Sequence, residues 1–201
     1  MPDSTETVNP PPLLLASTSP QRRAILAQLG LPFDVAAPRY EERDPPGLTP
    51  EKAVLAHALG KARSLAPDLA GRPILGVDTE AALTGRVFGK PASAAEARDM
   101  LIALAGREHR VVSGLCLLGG DFEVVEHDVT TVRFRALTRG EIDTYLTTGE
   151  WEGRTGAYAI QGRGAALVER IEGDYLNVVG LPVALLVRIL ATRFPGRYGF
   201  G

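Results

Sequence analysis

Two serines, a threonine, a proline and two arginines interrupt LLLASTSPQRRAILAQLG, residues 13–30, between an apolar run and an amphipathic one. A helix that starts there carries unpaired backbone N–H groups and about half a positive charge at its N-terminus. That is an anion seat, which Ser17, Ser19 and Arg22 or Arg23 would strengthen. The same residues also describe a plain Ser19 cap with its arginines in solvent, a common arrangement that demands no ligand. Asp78, in LGVDTE, follows an apolar strand-like run and is placed either for metal binding and general-base work or for holding a turn. Lys90 stands between Gly89, which lets the backbone come close to a ligand, and Pro91, which stiffens the exit. A P-loop is excluded, because the Gly85 to Lys90 spacing is one residue short and Pro91 replaces the Mg²⁺-holding hydroxyl. GRGAAL lacks the third glycine of a dinucleotide fingerprint. His57, His109 and His127 show no metal-ligand spacing, and Cys116 in SGLCLL reads as a buried small hydrophobe. What remains is a set of acids, Glu41, Glu42 and Asp78, against a set of cations, Arg22, Lys61 and Lys90, with Gln161 in a glycine-rich loop. Acids to hold a divalent cation and cations to hold phosphate oxygens are what phosphoanhydride chemistry requires.

The elements that must position these groups can be read from caps and periodicity. Residues 13–16 form a short buried strand, and Ser19-Pro20 opens a helix with apolar positions at Ala24, Ile25, Leu26 and Leu29, ended by Gly30. A strand over residues 33–36 leads into a proline-rich loop over 38–50, and Thr49-Pro50 starts the helix EKAVLAHALGKARSLA. Residues 74–77 read as a buried strand with Asp78 at its end, followed by a hairpin turned at Thr84-Gly85. Ser93 with Glu96 and Thr138 with Glu141 read as capping boxes for helices reaching Leu104 and Leu146. Between them, strands over about 110–118 and 122–135 are joined by GGD. A glycine-rich polar stretch precedes a closing helix over 183–190. This alternation predicts an α/β fold.

With 201 residues, the chain is expected to form one catalytic-sized domain over 13–194, with a disordered lead over 1–12 and a tail over 195–201. A net charge of −2 gives no general attraction to nucleic acid or acidic lipid, so no stable nucleic-acid or membrane partner is expected. One cysteine rules out an intramolecular disulfide, and with no secretory signal in MPDSTETVNPPP the expectation is a cytoplasmic protein.

LASTSPQRRAIL, YEE, KA, GVDT, GKP, GAYAIQGRGA and GDYLNVVGLP, in that order over about residues 13 to 190, resemble the Maf family of nucleoside triphosphate pyrophosphatases. The resemblance implies a two-lobed α/β fold similar to the inosine triphosphate pyrophosphatases, with an elongated, bent mixed sheet, flanking helices and a central cleft. It implies hydrolysis of nucleoside triphosphates between the α and β phosphorus with a divalent cation, Mg²⁺ or Mn²⁺, and a homodimer. By position it makes Ser17 and Arg22 a phosphate grip, Glu42 an acid serving metal or water, and Asp78 the catalytic base and second metal ligand. It likewise makes Lys61 the lysine of KA, Lys90 a phosphate-binding lysine, Thr79 a neighbour of the base pocket, and Gln161 a reader of the nucleobase. Gln21 stands where an arginine of the dTTP- and UTP-specific members would be, while Thr79 and Gln161 match that type rather than the 7-methyl-GTP type. A neutral amide both donates and accepts, so Gln21 is expected to alter which base edge is preferred. Glu80, and Arg154-Thr155 in place of the usual Lys-Ala, read as peripheral changes, although the carboxylate of Glu80 is a charge that a nearby metal site would feel. Two other readings are a nucleotide-binding regulator of cell division without hydrolysis, and a nucleotidyltransferase.

Overall fold

The computed structural model describes residues 10–43, 47–68 and 70–200. Residues 1–9 of the expected lead and residues 44–46 of the proline-rich loop lie outside them. Strand β1 (Leu13–Ala16) is buried along its whole length and runs into helix α1 (Pro20–Gln28), where the Ser19 hydroxyl accepts the Arg22 N–H and Pro20 takes the first turn. Strand β2 (Phe33–Ala36) and helix α2 (Pro50–Ser64), capped by Thr49, follow. Strand β3 (Ile74–Leu83) turns at Thr84 and Gly85, both at positive φ, into β4 (Arg86–Phe88). Helix α3 (Ala94–Leu104), the long strands β5 (Glu108–Leu118) and β6 (Glu123–Phe134), and helix α4 (Arg139–Leu146) complete the middle of the chain. Strand β7 (Val168–Glu172), helix α5 (Tyr175–Val179) and helix α6 (Val183–Arg193) close it.

The seven strands form one mixed sheet in the order β2-β1-β3-β5-β6-β7, with β4 also on β3. Strand β1 is parallel to both β2 and β3, and the other pairings are antiparallel. Side chains alternate between faces, as the period of a strand requires. Leu13, Leu15, Leu75, Val77, Leu115 and Leu117 enter one core with Leu26, Leu186 and Leu190. Leu14, Ala16, Ile74 and Cys116 pack on the opposite face against Ala58 and Ala62 of α2. A third cluster, around Phe134, Tyr158, Leu101 and Leu104, fills the far end of the sheet. The α/β sheet with flanking helices matches the expected class.

Helix α2 lies unusually close to the sheet because two strand residues beneath it lack side chains. A Cβ on Gly76 would fall 2.1 Å from the Ala58 carbonyl oxygen, and one on Gly114 would fall 2.2 Å from that of Val54. Glycine at both places lets backbone meet backbone.

Four local expectations change. Asp78 is not at the end of its strand, because β3 continues to Leu83, carried on by its antiparallel pairing with β5. The Ser93 and Glu96 pair forms only half of a capping box, since Glu96 accepts the Ala92 N–H at 2.7 Å rather than that of Ser93. The Thr138 and Glu141 box is complete. The polar stretch before the last helix contains β7 and α5, and that last helix runs on to Arg193. Beyond it, Tyr198 packs on Phe194 and donates its hydroxyl to the Pro11 carbonyl at 2.7 Å.

Candidate active site

Strand β5 follows one edge of β3 over residues 74–82, so β1 and β4 share the other. Pairing with β1 stops at Gly76, opposite Ala16, and pairing with β4 begins at Ala81, opposite Phe88. Residues 77–80 therefore face a gap in the sheet, with Ser17 at one end and Gly89-Lys90 at the other. A cavity of about 690 Å³ opens over this gap, and all nine expected site residues line it.

On the α2 side, Lys61 reaches both acids. Its ammonium lies 2.5 Å from Asp78 Oδ1 and 2.6 Å from Glu42 Oε1. The side chains of Lys61 and Asp78 are only 9% and 11% exposed, whereas Glu42 is 55% exposed. The first two are thus a buried ion pair, costly to break, and Glu42 reaches in from the rim. Gly76 brings α2 down far enough for Lys61 to make this bond. Glu41, the other acid of the pair, turns outward to Arg43. Lys52 is exposed on α2 and stands away from the cavity lining, where Lys61 lies. His57, also on α2 and on the cavity wall, meets the Tyr40 hydroxyl at 3.1 Å.

On the opposite face of β3, Thr79 belongs to a second network. The Arg22 guanidinium donates to the Gly180 carbonyl at 2.9 Å, to Ser17 Oγ at 3.2 Å and to Thr79 Oγ1 at 3.2 Å. Ser113 Oγ lies 2.9 Å from Thr79 Oγ1. Burial pulls the Arg22 pKa below its ordinary value, while the charges of Asp78 and Glu42 work in the other direction. The Gly180 carbonyl is held out by the motif GDYLNVVGLP. Asp174 caps α5 through the Leu176 N–H at 2.8 Å and reaches the Ala184 N–H at the start of α6 at 3.1 Å. Asn177, fully buried, donates to the Val111 carbonyl at 3.1 Å and to Thr130 Oγ1 at 3.0 Å. Gln21 accepts the Ser19 hydroxyl at 3.1 Å. Lys90 and Gln161 are exposed on the wall of the cavity. Glu80, Arg154, Thr155 and Tyr158 line it too, although the first three read as peripheral in sequence. The Gly180 carbonyl had no sequence signal beyond the motif itself, because a backbone acceptor leaves none.

Among the described residues no group of three or more His, Cys, Asp and Glu is arranged to hold a metal ion. Glu42 and Asp78 still fit a hard cation, because two carboxylates meeting at one ammonium are close enough to share a single charge. Mg²⁺ characteristically takes one or two carboxylates and completes its shell with phosphate oxygens and water.

Fold and site together define an α/β protein whose cleft sets a carboxylate–lysine cluster opposite an arginine–hydroxyl grip, a layout suited to a phosphorylated ligand. The Maf-like protein family matches residues 12–193. A dTTP/UTP pyrophosphatase of Symbiobacterium thermophilum is 47% identical, with the match covering 89% of this chain and 92% of that one. Another from Moorella thermoacetica is 48% identical over 89% of this chain and 93% of its own. One from Pyrococcus furiosus is 40% identical over 89% and 93%. Among solved structures, the Staphylococcus aureus Ham1 protein is similar at a TM-score of 0.43 and 15% identity, over 62% of this chain and 72% of that one. The chain belongs to the Maf family.

Proposed function

We propose that this chain hydrolyses nucleoside triphosphates, with pyrimidine nucleotides such as dTTP and UTP or modified nucleotides as substrates, to the monophosphate and pyrophosphate. The observation that carries this reading is the Lys61–Asp78–Glu42 cluster facing the Ser17–Arg22 grip across one cavity. The relatives named dTTP/UTP pyrophosphatase support the substrate class.

A triphosphate brings roughly four negative charges, which repel an attacking water unless cations offset them first. Arg22, Ser17 and the N-terminus of α1 would hold phosphate oxygens at one end of the gap, and Lys90 at the other. Asp78 keeps one carboxylate oxygen on Lys61, and its second would accept the proton of the attacking water. As water bonds to the α phosphorus, the bond to the bridging oxygen breaks and pyrophosphate leaves. Glu42 and Asp78 would hold a divalent cation, Mg²⁺ or Mn²⁺, which supplies Lewis-acid polarisation of the phosphoryl group and acidifies water. A millionfold acceleration needs about 8 kcal/mol, more than any one of these groups contributes. Thr79, Gln161 and Gln21 would select the base. A homodimer belongs to the same proposal on the family resemblance, and a cytoplasmic location on the single cysteine.

The test is pyrophosphate release from common and modified nucleoside triphosphates, with and without Mg²⁺ or Mn²⁺. Metal-dependent release with monophosphate as coproduct is expected. Nucleotide binding without release would favour the regulatory reading, and a new nucleotide conjugate the transferase.

A further inference from the structure

The cations already placed in the cavity are not equivalent. Lys61 is bonded to two carboxylates, and Arg22 is engaged by Ser17, Thr79 and the Gly180 carbonyl with Asp78 and Glu42 nearby. Arg154 differs from both. It is half-buried on the cavity wall, its Nε is closed off from solvent without an acceptor, and it has no acid partner among the described residues. Two bonds fix the turn that carries it. The Thr155 hydroxyl donates to the Thr79 carbonyl at 3.4 Å, on the floor of the gap, and the Gly156 N–H donates to the Gly89 carbonyl at 3.1 Å. Gly156 sits at φ 73°, which lets the chain turn there. Arg154 and Lys90 are therefore brought onto adjoining loops at the same end of the cavity.

Resting on the triphosphate reading of this cavity, we propose that Arg154 is a phosphate-binding residue, which with Lys90 holds the two phosphates that depart as pyrophosphate. Two cations at one end of a cavity repel each other, an anion that binds there offsets that repulsion, and a planar donor fork suits a phosphate's oxygens. A neutral pyrimidine carbonyl accepts a hydrogen bond but does not cancel that repulsion. Lys61 and Arg22 serve the reacting α phosphoryl beside Asp78, which leaves the more heavily charged end of the substrate to the cations with no acid of their own.

The experiment is calorimetric titration of wild type, Arg154→Gln and Arg154→Lys with inorganic pyrophosphate and, separately, with dTMP and dCMP, after thermal melts establish that each variant is folded. Loss of a charge-assisted hydrogen bond should weaken pyrophosphate binding about tenfold to a hundredfold in Arg154→Gln, with part recovered in Arg154→Lys and monophosphate binding unchanged. KM should rise by the same factor for every triphosphate. Equal pyrophosphate affinity in wild type and Arg154→Gln, or a loss seen as altered dTMP-over-dCMP preference, would overturn the assignment and make Arg154 a base-reading or purely structural residue. A wild type that binds no pyrophosphate overturns it as well. Pyrophosphate binding that depends on Arg154, in a protein releasing pyrophosphate from no triphosphate, would sustain this site while removing the hydrolytic reading.

Discussion

Gly76→Ala tests whether the close seat of α2 on the sheet is what joins Lys61 to Asp78. The added Cβ would lie 2.1 Å from the Ala58 carbonyl oxygen, 2.9 Å from the Ala62 nitrogen and 3.0 Å from Ala62 Cβ. Carbon and carbonyl oxygen rest at about 3.3 Å, so the helix must retreat by about 1.2 Å. The obstacle is backbone, which has no rotamer to move aside. Overpacking of this kind costs about 1–3 kcal/mol. For a chain of this size that is about 2 to 12 °C in Tm. Ala62 adjoins Lys61, and Gly76 shares a face with Asp78 two residues on, so the displacement falls on the 2.5 Å ion pair. A shift of about 1 Å in catalytic groups costs about a hundredfold in rate. The assays are thermal unfolding by calorimetry and kcat/KM for pyrophosphate release. Gly140→Ala, in helix α4 where a new Cβ meets nothing within 4 Å, is the control, with stability equal to or above wild type. Wild-type Tm and turnover in Gly76→Ala would refute the reasoning, and a lowered Tm with intact turnover would refute its second half.

Asp78→Asn should keep the fold, because its amide oxygen still accepts from Lys61, and should lose about a hundredfold to a thousandfold in turnover; undiminished pyrophosphate release would remove Asp78 as the base. Gln21→Arg should raise the preference for dTTP and UTP over other triphosphates, and an unchanged substrate profile would take Gln21 out of base selection. Burial holds the His109 imidazole down to about 4, so it is neutral in the fold while the unfolded chain takes a proton near pH 6.5. Stability is therefore full above about pH 6.5 and falls as pH drops toward 4, by at most about 3 kcal/mol. Denaturant unfolding across that window checks it, and an identical slope in His109→Gln would assign the loss elsewhere.

Local signals in the sequence were legible where one residue settles the matter. Ser19-Pro20, Thr49-Pro50 and the Thr138 and Glu141 box stand where the helices begin. The end of β3 was not legible, because what extends it past Asp78 is pairing with β5, whose partner residues lie some 30 positions away. Strand β7 and helix α5 were hidden because one is half-exposed and the other is a single short turn held by Asp174 and Asn177 rather than by an apolar stripe. Among the site residues, composition could name acids and cations but could not choose Glu42 over Glu41; only the ordered motifs separated them, and in the fold Glu42 meets Lys61 while Glu41 meets Arg43. Arg154 read as peripheral because its place on the cavity wall depends on two loop bonds, from Thr155 to Thr79 and from Gly156 to Gly89, that no local pattern records.

Asp78 and Thr79 are neighbours in sequence, yet one serves the lysine side of β3 and the other the arginine side. Strand geometry repeats every two residues, so inserting or deleting one residue upstream within β3 would exchange their faces, turning the carboxylate toward the arginine side and the hydroxyl toward the lysine side. A change of two residues would return each to its own side but carry it about 6.6 Å along the strand, past its partner. The length of this strand before Asp78 is therefore fixed to the residue, and a relative with any change there would have to rebuild both halves of its cleft to remain an enzyme of this kind.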